Sequence, residues 1–200
     1  MNLIERVKNI LITPKTEWEV INTESATSGS LFTGYVLPLS IFAALGSVIK
    51  YFLFTGVILG GFGMKFIVAS AVIAFVASIV AYYLTVIIVD MLAPSFNSEK
   101  NMGKSAQLVA YSGTPSYIGS FLSFIPILGW LIAIAAWVYG IYLMYLGIGP
   151  MKKTPEDKKV VYMLVAYIIM IAIYFIIAAI LGAIIFAALG TGMAAMGGFR

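Results

Sequence analysis

Asp90 is the one acidic residue that lies inside a long apolar run of this sequence. A carboxylate within a membrane segment is energetically costly and is therefore a candidate for proton or ion chemistry. It lies near the end of its run, so two interpretations stay open: an interfacial partner for a nearby lysine, or a group on a solute path. An aspartyl protease needs two carboxylates that share a proton, and no second one lies in an apolar run.

Histidine and cysteine are both absent from the sequence. Their absence excludes a Ser–His dyad, a thiolate nucleophile, a disulfide and the usual zinc ligands. The sequence also has no phosphate-binding glycine loop, dinucleotide fingerprint or calcium-binding loop. We therefore predict no catalytic residue, no metal site and no cofactor, and we expect that the protein is not an enzyme.

Residues 111–123, YSGTPSYIGSFLS, concentrate small and hydroxyl-bearing side chains within another apolar region. Either these groups hydrogen-bond to backbone that a proline kink leaves free, or they line a polar path for a solute. Besides Asp90, the candidate functional polar residues are Tyr111, Thr114, Pro115 and Ser116.

Small residues recur at spacings that let membrane helices approach closely. Gly119 and Ser123 lie four residues apart, and Gly140 and Gly147 lie two helical turns apart. We predict that all four are helix-packing positions. For the second pair, the alternative is a groove that holds lipid or a partner.

One tryptophan and four lysines are candidates for contact with the membrane surface, lipid or a partner. Trp18 lies in a charged segment near the start, and tryptophan favours the membrane–water interface. A lysine-rich stretch at 149–159 adjoins two apolar runs, and its charges suit anionic headgroups. Its candidate residues are Lys152, Lys153, Lys158 and Lys159.

The composition is that of a membrane protein. Hydrophobic residues make up 62% and charged residues 10% of the 200 residues, whereas a soluble domain has about 25% charged residues. Apolar runs of about 20 residues or more are long enough to cross a bilayer as helices. We predict an all-α integral membrane bundle of five transmembrane helices, at 31–55, 66–92, 105–125, 127–148 and 160–189.

Residues 1–30 form a charged N-terminal segment ahead of the first span. Apolar residues recur at helical spacing over 2–12, and Thr13-Pro14 is typical of the start of a second helix, over about 14–23. We predict two short amphipathic helices that lie at the headgroups, pack on the end of the bundle, or do both. They lack the pattern of a secretory signal. A flexible link follows at 25–30, and a loose Gly-rich tail is predicted at 190–200.

Charge predicts the orientation of the chain. With five spans and a cytoplasmic N-terminus, nine of the twelve Lys and Arg residues lie on the cytoplasmic side, as the positive-inside rule requires. The third segment is the most polar and could instead be a re-entrant hairpin. The lysine-rich stretch would then move outside, which the rule disfavours.

Several stretches, taken in order, resemble the Yip (Ypt-interacting protein) domain family, particularly its prokaryotic branch. They are RVKNILITPKTEWEVI at 6–21, AYSGTPSYIG at 110–119, and YGIYLMYLGI at 139–148 ahead of KKTPEDKK. The resemblance implies a five-helix membrane protein with a cytoplasmic N-terminus and no catalysis. Eukaryotic members are linked to small GTPases, vesicle traffic and membrane shaping, and they associate with one another.

The predicted function is that of a non-enzymatic membrane protein that organises protein partners or lipids, in a prokaryotic plasma membrane. Expected partners are membrane lipids, membrane or cytoplasmic proteins and further copies of the chain, and not nucleic acid. The alternative is a small-solute or ion transporter or channel that uses the polar third helix and Asp90.

Overall fold

The structure is a computed structural model, and it describes residues 2–54, 75–76 and 78–197. Helices make up nearly all of this part of the chain, and no strand occurs within it. The all-α class predicted from the sequence is therefore confirmed. The predicted turn at 56–65 and the start of the second span at 66 fall outside the described residues.

The N-terminal segment forms the two predicted helices. Helix α1 spans Leu3–Ile12, and the side chain of Asn2 caps it by accepting a hydrogen bond from the backbone N–H of Glu5 at 2.9 Å. Helix α2 spans Pro14–Thr23. Pro14 fits this first position because its missing N–H would have no partner there.

The first long helical segment starts earlier than the sequence predicts. Helix α3, Ser28–Leu31, leads through a π turn at Phe32–Val36 into α4, Leu37–Phe54. Thr27 and Ser30 form a reciprocal capping box, so the second half of the predicted flexible link is helical. The prediction of a link through residue 30 is wrong because serine at the third helical position can close such a box.

The next segments are shorter. Helix α5 covers 78–92 and ends in a 3₁₀ turn at Ala93–Phe96. The predicted third span is broken in two, into α6, Met102–Ser112, and α7, Thr114–Phe121. The break at Gly113 precedes Pro115, which lacks the N–H needed to continue the helix. The proline kink predicted from the sequence is thus present.

Two long helices complete the chain. Helix α8 spans Leu128–Lys152, and α9 spans Glu156–Gly197. The predicted loose tail at 190–200 is wrong for residues 190–197, because α9 continues through them.

Four of these helical segments are long and apolar enough to cross a bilayer: Ser28–Lys50, Ser78–Phe96, Leu128–Lys152 and Glu156–Ile180. The predicted fifth, at 105–125, does not qualify, because its halves have only 11 and 8 residues. The described chain is therefore a multi-pass membrane bundle with four candidate spans and one broken segment.

The broken segment nevertheless runs antiparallel along the whole of α8. At one end, the Nζ of Lys152 lies 2.6 Å from the Oγ of Ser105. At the other end, a Cβ built on Gly129 would lie 2.8 Å from the carbonyl oxygen of Ser123. We call the end that holds Lys152 the basic end. There α5 and α8 end, and α6 and α9 begin. Six of the nine lysines in the described residues cluster at this end: Lys100, Lys104, Lys152, Lys153, Lys158 and Lys159.

Helices α1 and α2 form a hairpin packed on the side of the bundle. Near the hairpin turn, the hydroxyl of Tyr139 in α8 donates a hydrogen bond to the carbonyl oxygen of Leu11 at 2.7 Å. Trp18, seven residues after Leu11, packs against Gly147, which lies eight residues after Tyr139 in α8. Because the two separations are nearly equal, α2 runs alongside α8 towards the basic end. Packing on the bundle, one of the two compatible arrangements predicted for this segment, is therefore observed, and the position at the headgroups stays a prediction.

Gly147 makes this close packing feasible. A Cβ built on it would lie 2.6 Å from Cε2 of Trp18 and 2.8 Å from Cδ1 of Leu108. We expect Gly147→Ala to destabilise the folded protein by about 1–3 kcal/mol through overpacking. Gly182→Ala is the matched control, since nothing lies within 4 Å of that Cβ. Thermal unfolding of both variants in detergent measures the difference, and equal melting temperatures would contradict this packing.

Candidate functional site at the basic end

Asp90 lies at the centre of a buried polar network at the basic end. Its Oδ1 accepts hydrogen bonds from the Nζ of Lys152 at 2.9 Å, the Oγ of Ser105 at 2.9 Å and the backbone N–H of Asn101 at 2.8 Å. Asp90 is 2% exposed and Lys152 is 0% exposed. Opposite charges buried this deeply must be paired, because water is not there to solvate them.

Local backbone geometry brings the members of this network together. Helix α8 ends because Lys153 adopts a left-handed conformation with φ of 49°. Asn101 caps α6 with its side chain, which accepts from the backbone N–H of Lys104 at 3.1 Å. As a result, Ser105 in the first turn of α6 faces the last residue of α8. Asp90 reaches both from the end of α5.

The loop at 93–101 is tied to the end of α8 by further bonds. The backbone N–H of Glu99 donates to the carbonyl oxygen of Lys152 at 2.7 Å, and the Oγ of Ser98 donates to the Oγ1 of Thr154 at 2.9 Å. Lys153 and Glu99 form an exposed ion pair at 2.7 Å. The hydrogen bond and charge of Lys153 lower the pKa of Glu99. The loop therefore closes over Lys152 and leaves Lys153 at the surface.

A second buried ion network, centred on Arg6, fastens the hairpin. The guanidinium of Arg6 donates to Glu17 at 2.5 Å and to both carboxylate oxygens of Glu24. It also lies over the ring of Tyr111, 5.2 Å from the centroid. Burial acts to lower the pKa of Arg6, but the hydrogen bond and charge of Glu24, with the charge of Glu17, raise it overall. Arg6 therefore stays charged and joins α1, α2 and α6.

Polar contacts from α6 fix the end of α2. The Nζ of Lys104 donates to the carbonyl oxygens of Asn22 at 2.6 Å and Glu24 at 3.0 Å. The side-chain amide of Gln107 donates to the carbonyl oxygens of Ile21 and Glu24 at 3.3 and 3.2 Å. These donors add hydrogen bonds to carbonyls at the end of α2, where no further helical turn follows to supply N–H groups. The hairpin is thus held by the Arg6 ion network and by hydrogen bonds from α6 to the end of α2.

A cleft of about 460 Å³ opens beside the Arg6 network. Its polar lining includes Asn2, Arg6, Glu24, Ser30 and Tyr35. Two carboxylates already neutralise the guanidinium at this cleft, so it has no net attraction for an anion. Among the described residues, no group of acidic side chains is placed to hold a metal ion.

The sequence of this chain matches a known family. A family model described as the Yip1 domain matches residues 8–179. The chain belongs to the Yip1 domain family. This is a family of membrane proteins not known as enzymes. A comparison with curated proteins and one with solved structures each returned no significant match.

Three of the four polar third-helix candidates, Tyr111, Thr114 and Pro115, are buried in this Yip1 domain. The Oγ1 of Thr114 donates to the carbonyl oxygen of Tyr111 at 2.7 Å and bonds the hydroxyl of Tyr35, also at 2.7 Å. Pro115 is buried beside them. Ser116 is exposed and, with Gly140, lines a cavity of about 180 Å³ among α5, α6, α7, α8 and α9. Thr114 therefore belongs to a buried cluster of hydroxyl groups with Tyr35, whereas Ser116 lines a small cavity on the side of the bundle.

The predicted small residues lie at helix contacts of the Yip1 domain. A Cβ on Gly119 would lie 2.7 Å from that of Ala136, and a Cβ on Gly140 would lie 3.0 Å from the carbonyl oxygen of Ser112. The carbonyl of Ser123 approaches Gly129, and Gly147 holds the ring of Trp18. The contacts at Gly119, Gly140 and Gly147 join α7, α6 and α2 to α8. Ser123 lies past the end of α7, in a 3₁₀ turn at Leu122–Phe124, and only its backbone makes the contact with α8.

The predicted surface contacts need correction at two positions of the Yip1 domain. Trp18 is 1% exposed and Lys152 is 0% exposed, so neither side chain reaches lipid or a partner. The ring of Trp18 packs against Gly147, and the Nζ of Lys152 binds the carboxylate of Asp90. Lys153 is exposed, whereas Lys158 and Lys159 are half-buried. The side chain of Lys159 pairs with Glu156 at 2.5 Å.

Sequence reasoning missed the partners that make both networks of the Yip1 domain. The sequence predicts no role for Arg6, Glu17 or Glu24. Helical spacing could not have paired the two glutamates, because α2 ends at Thr23 and Glu24 has an extended backbone conformation. Ser105 had no signal beyond its position at the start of a helix.

Proposed function

We propose that this Yip1 domain is a non-enzymatic adaptor that organises protein partners or lipids at the membrane through its basic end. The observation that carries the proposal is the buried Asp90–Lys152–Ser105 network. It fixes the surrounding loop in one conformation, so that Lys100 and Lys153 are presented on a preorganised surface. A preorganised surface loses less conformational entropy when it binds.

The proposed topology has five spans, with the N-terminus and the basic end in the cytoplasm of a prokaryotic cell. Support for the fifth span comes from α6 and α7, which together follow α8 from Lys152 to Gly129. Support for the orientation comes from the lysines at the basic end, since basic loops favour the cytoplasmic side. In domain terms, we propose an N-terminal segment at 1–30, a transmembrane domain at 31–189 and a terminal segment at 190–200.

The alternative function, a solute path through Asp90 and the third helix, receives no specific support. Three donors already occupy one oxygen of Asp90, and the residue lies at the end of the bundle. Thr114 is engaged with Tyr35 and the backbone of Tyr111. We therefore retain the adaptor as the proposed function.

The test is a crosslinking experiment in native membranes with Lys100→Ala/Lys153→Ala. Both side chains are exposed at the basic end, so the substitutions leave the buried networks intact. We expect a crosslinked partner of defined mass to be lost in this variant, because the charges that recognise it are gone. Lys50→Ala is the matched control, because Lys50 is also exposed but lies near the C-terminal end of α4. This variant should still crosslink to the partner. Identical crosslinks in all three proteins would refute a role for the basic end.

A further inference from the structure

The cavity of about 180 Å³ on the side of the bundle has mainly apolar walls. Val109 and Gly113 of the broken segment, Gly140 and Met144 of α8, and Met170 of α9 are among its lining residues. The two glycines place no side chain in the space. An apolar cavity of about 150 Å³ can hold a benzene ring. This one therefore has room for several carbons of a hydrocarbon chain.

Two of the hydroxyl groups at the cavity are bonded within their own helices. The Oγ1 of Thr85 donates to the carbonyl oxygen of Ala81 at 2.7 Å, and the Oγ of Ser112 donates to the carbonyl oxygen of Val109 at 3.4 Å. A buried water needs about two to four polar partners. Because these two donors are already used, the walls suit hydrocarbon better than water.

The mouth of the cavity opens on an apolar surface. Ser116 of α7 and Trp137 of α8 are lining residues that are also exposed, so they mark the mouth. Close to it, Val138 of α8 is 54% exposed and Ile168 of α9 is 63% exposed. Both residues belong to candidate spans, whose exposed apolar side chains lie in hydrocarbon. The cavity is therefore continuous with the lipid-facing surface of the bundle.

The size of the cavity selects its occupant. An α-helix with its side chains is about 10–12 Å across, so a helix of a partner or of a second copy does not fit into this volume. An acyl chain is thin and flexible, and lipid surrounds the candidate spans. Met144 and Met170 have flexible side chains, which adapt to a chain of variable conformation.

We infer that this cavity is a binding site for one acyl chain of a membrane lipid, which enters between Ser116 and Trp137. The chain fills a space that the side chains of α5 to α9 leave open. The inference goes beyond the adaptor function, which depends on the exposed Lys100 and Lys153 at the basic end. Either idea can fail while the other holds.

A photoactivatable lipid tests the inference. The protein is placed in phosphatidylcholine vesicles that contain a phospholipid with a diazirine in its acyl chain, and mass spectrometry identifies the residues labelled on illumination. We expect labelling of Met144, which is 2% exposed and out of reach of lipid that stays outside the bundle. Ile168 faces lipid and is the positive control. Leu143 is 0% exposed, lies outside the cavity lining and is the negative control.

Filling the cavity should displace the chain. The Oγ of Ser116 lies 3.9 Å from a Cβ built on Gly140, so the side chain of Ser116→Phe should extend across the cavity towards α8. Thr85→Phe fills the cavity from α5, and it remains informative if the first variant does not fold. Each variant should lower the labelling of Met144 several-fold and leave that of Ile168 unchanged.

Val138→Phe is the matched control, because it adds the same ring on the lipid-facing side of α8 and should leave both labels unchanged. Labelling of Met144 as low as that of Leu143 would overturn the inference. Undiminished labelling of Met144 in both filled variants would overturn it too, since the chain would then arrive by another route. Hydroxyl radicals generated in the water should oxidise Met102, which is 44% exposed at the basic end, and spare Met144. Equal oxidation of the two would show a water-filled cavity instead.

Discussion

Asp90→Ala should lower the free energy of unfolding by about 3–5 kcal/mol, because it leaves the charge of Lys152 buried without its counterion. Lys152→Ala should have a similar effect, since the carboxylate of Asp90 is then the uncompensated charge. Denaturant unfolding of the purified protein in detergent measures both. These are large effects for a single substitution.

The double variant Asp90→Leu/Lys152→Met distinguishes the loss of a counterion from the loss of side-chain packing. Replacing both charges with apolar side chains should restore most of the lost stability, because neither ion then has to be desolvated. Glu99→Gln, which breaks the exposed pair with Lys153, is the matched control and should leave the stability nearly unchanged, because water screens an exposed pair. A double variant as unstable as the sum of its single variants would argue against direct coupling of Asp90 and Lys152.

Arg6→Met should release the hairpin from the bundle. The substitution keeps much of the apolar stem but leaves Glu17, which is 4% exposed, buried without a counterion. We expect a loss of about 3–5 kcal/mol in the stability of the docked hairpin. Limited proteolysis measures it, because residues 2–24 should become cleavable while the rest of the bundle stays intact.

Lys8→Met is the control for this experiment. It lies on the same helix and makes the same change in charge, but it is exposed, so cleavage should remain as slow as in the unchanged protein. Arg6→Lys should give an intermediate rate, because a single ammonium cannot hold Glu17 and both oxygens of Glu24 in the same geometry. Equal protection of all three variants would mean that hydrophobic contacts alone hold the hairpin.

The sequence predicted those features that depend on local periodicity. Helices α1 and α2 start and end as their apolar spacing and Thr13-Pro14 indicate. The break in the third segment follows from Pro115, whose effect is confined to neighbouring residues. The link at 25–30 was misjudged because its serines and glycine favour turns as well as helix caps, and only the reciprocal bond between Thr27 and Ser30 decides between them.

The features that escaped prediction depend on contacts between distant parts of the chain. A lysine partner for Asp90 was one of two interpretations, but nothing local distinguishes Lys152 from Lys153. The first lies beneath the loop at 93–101 and the second above it, because the helix ends between them. Trp18 has the residue type of a membrane anchor, yet the space left by Gly147, more than a hundred residues away, places it inside.

The separation of 62 residues between Asp90 and Lys152 also bears on how the protein is made. At about 5–20 residues per second, a ribosome completes Lys152 several seconds after Asp90. During that interval the carboxylate has no counterion from α8 and must be hydrated. Its position at the end of α5, where water is within reach, allows the nascent segment to enter the bilayer first. When Lys152 then pairs with Asp90, it joins α8 to the earlier segment α5.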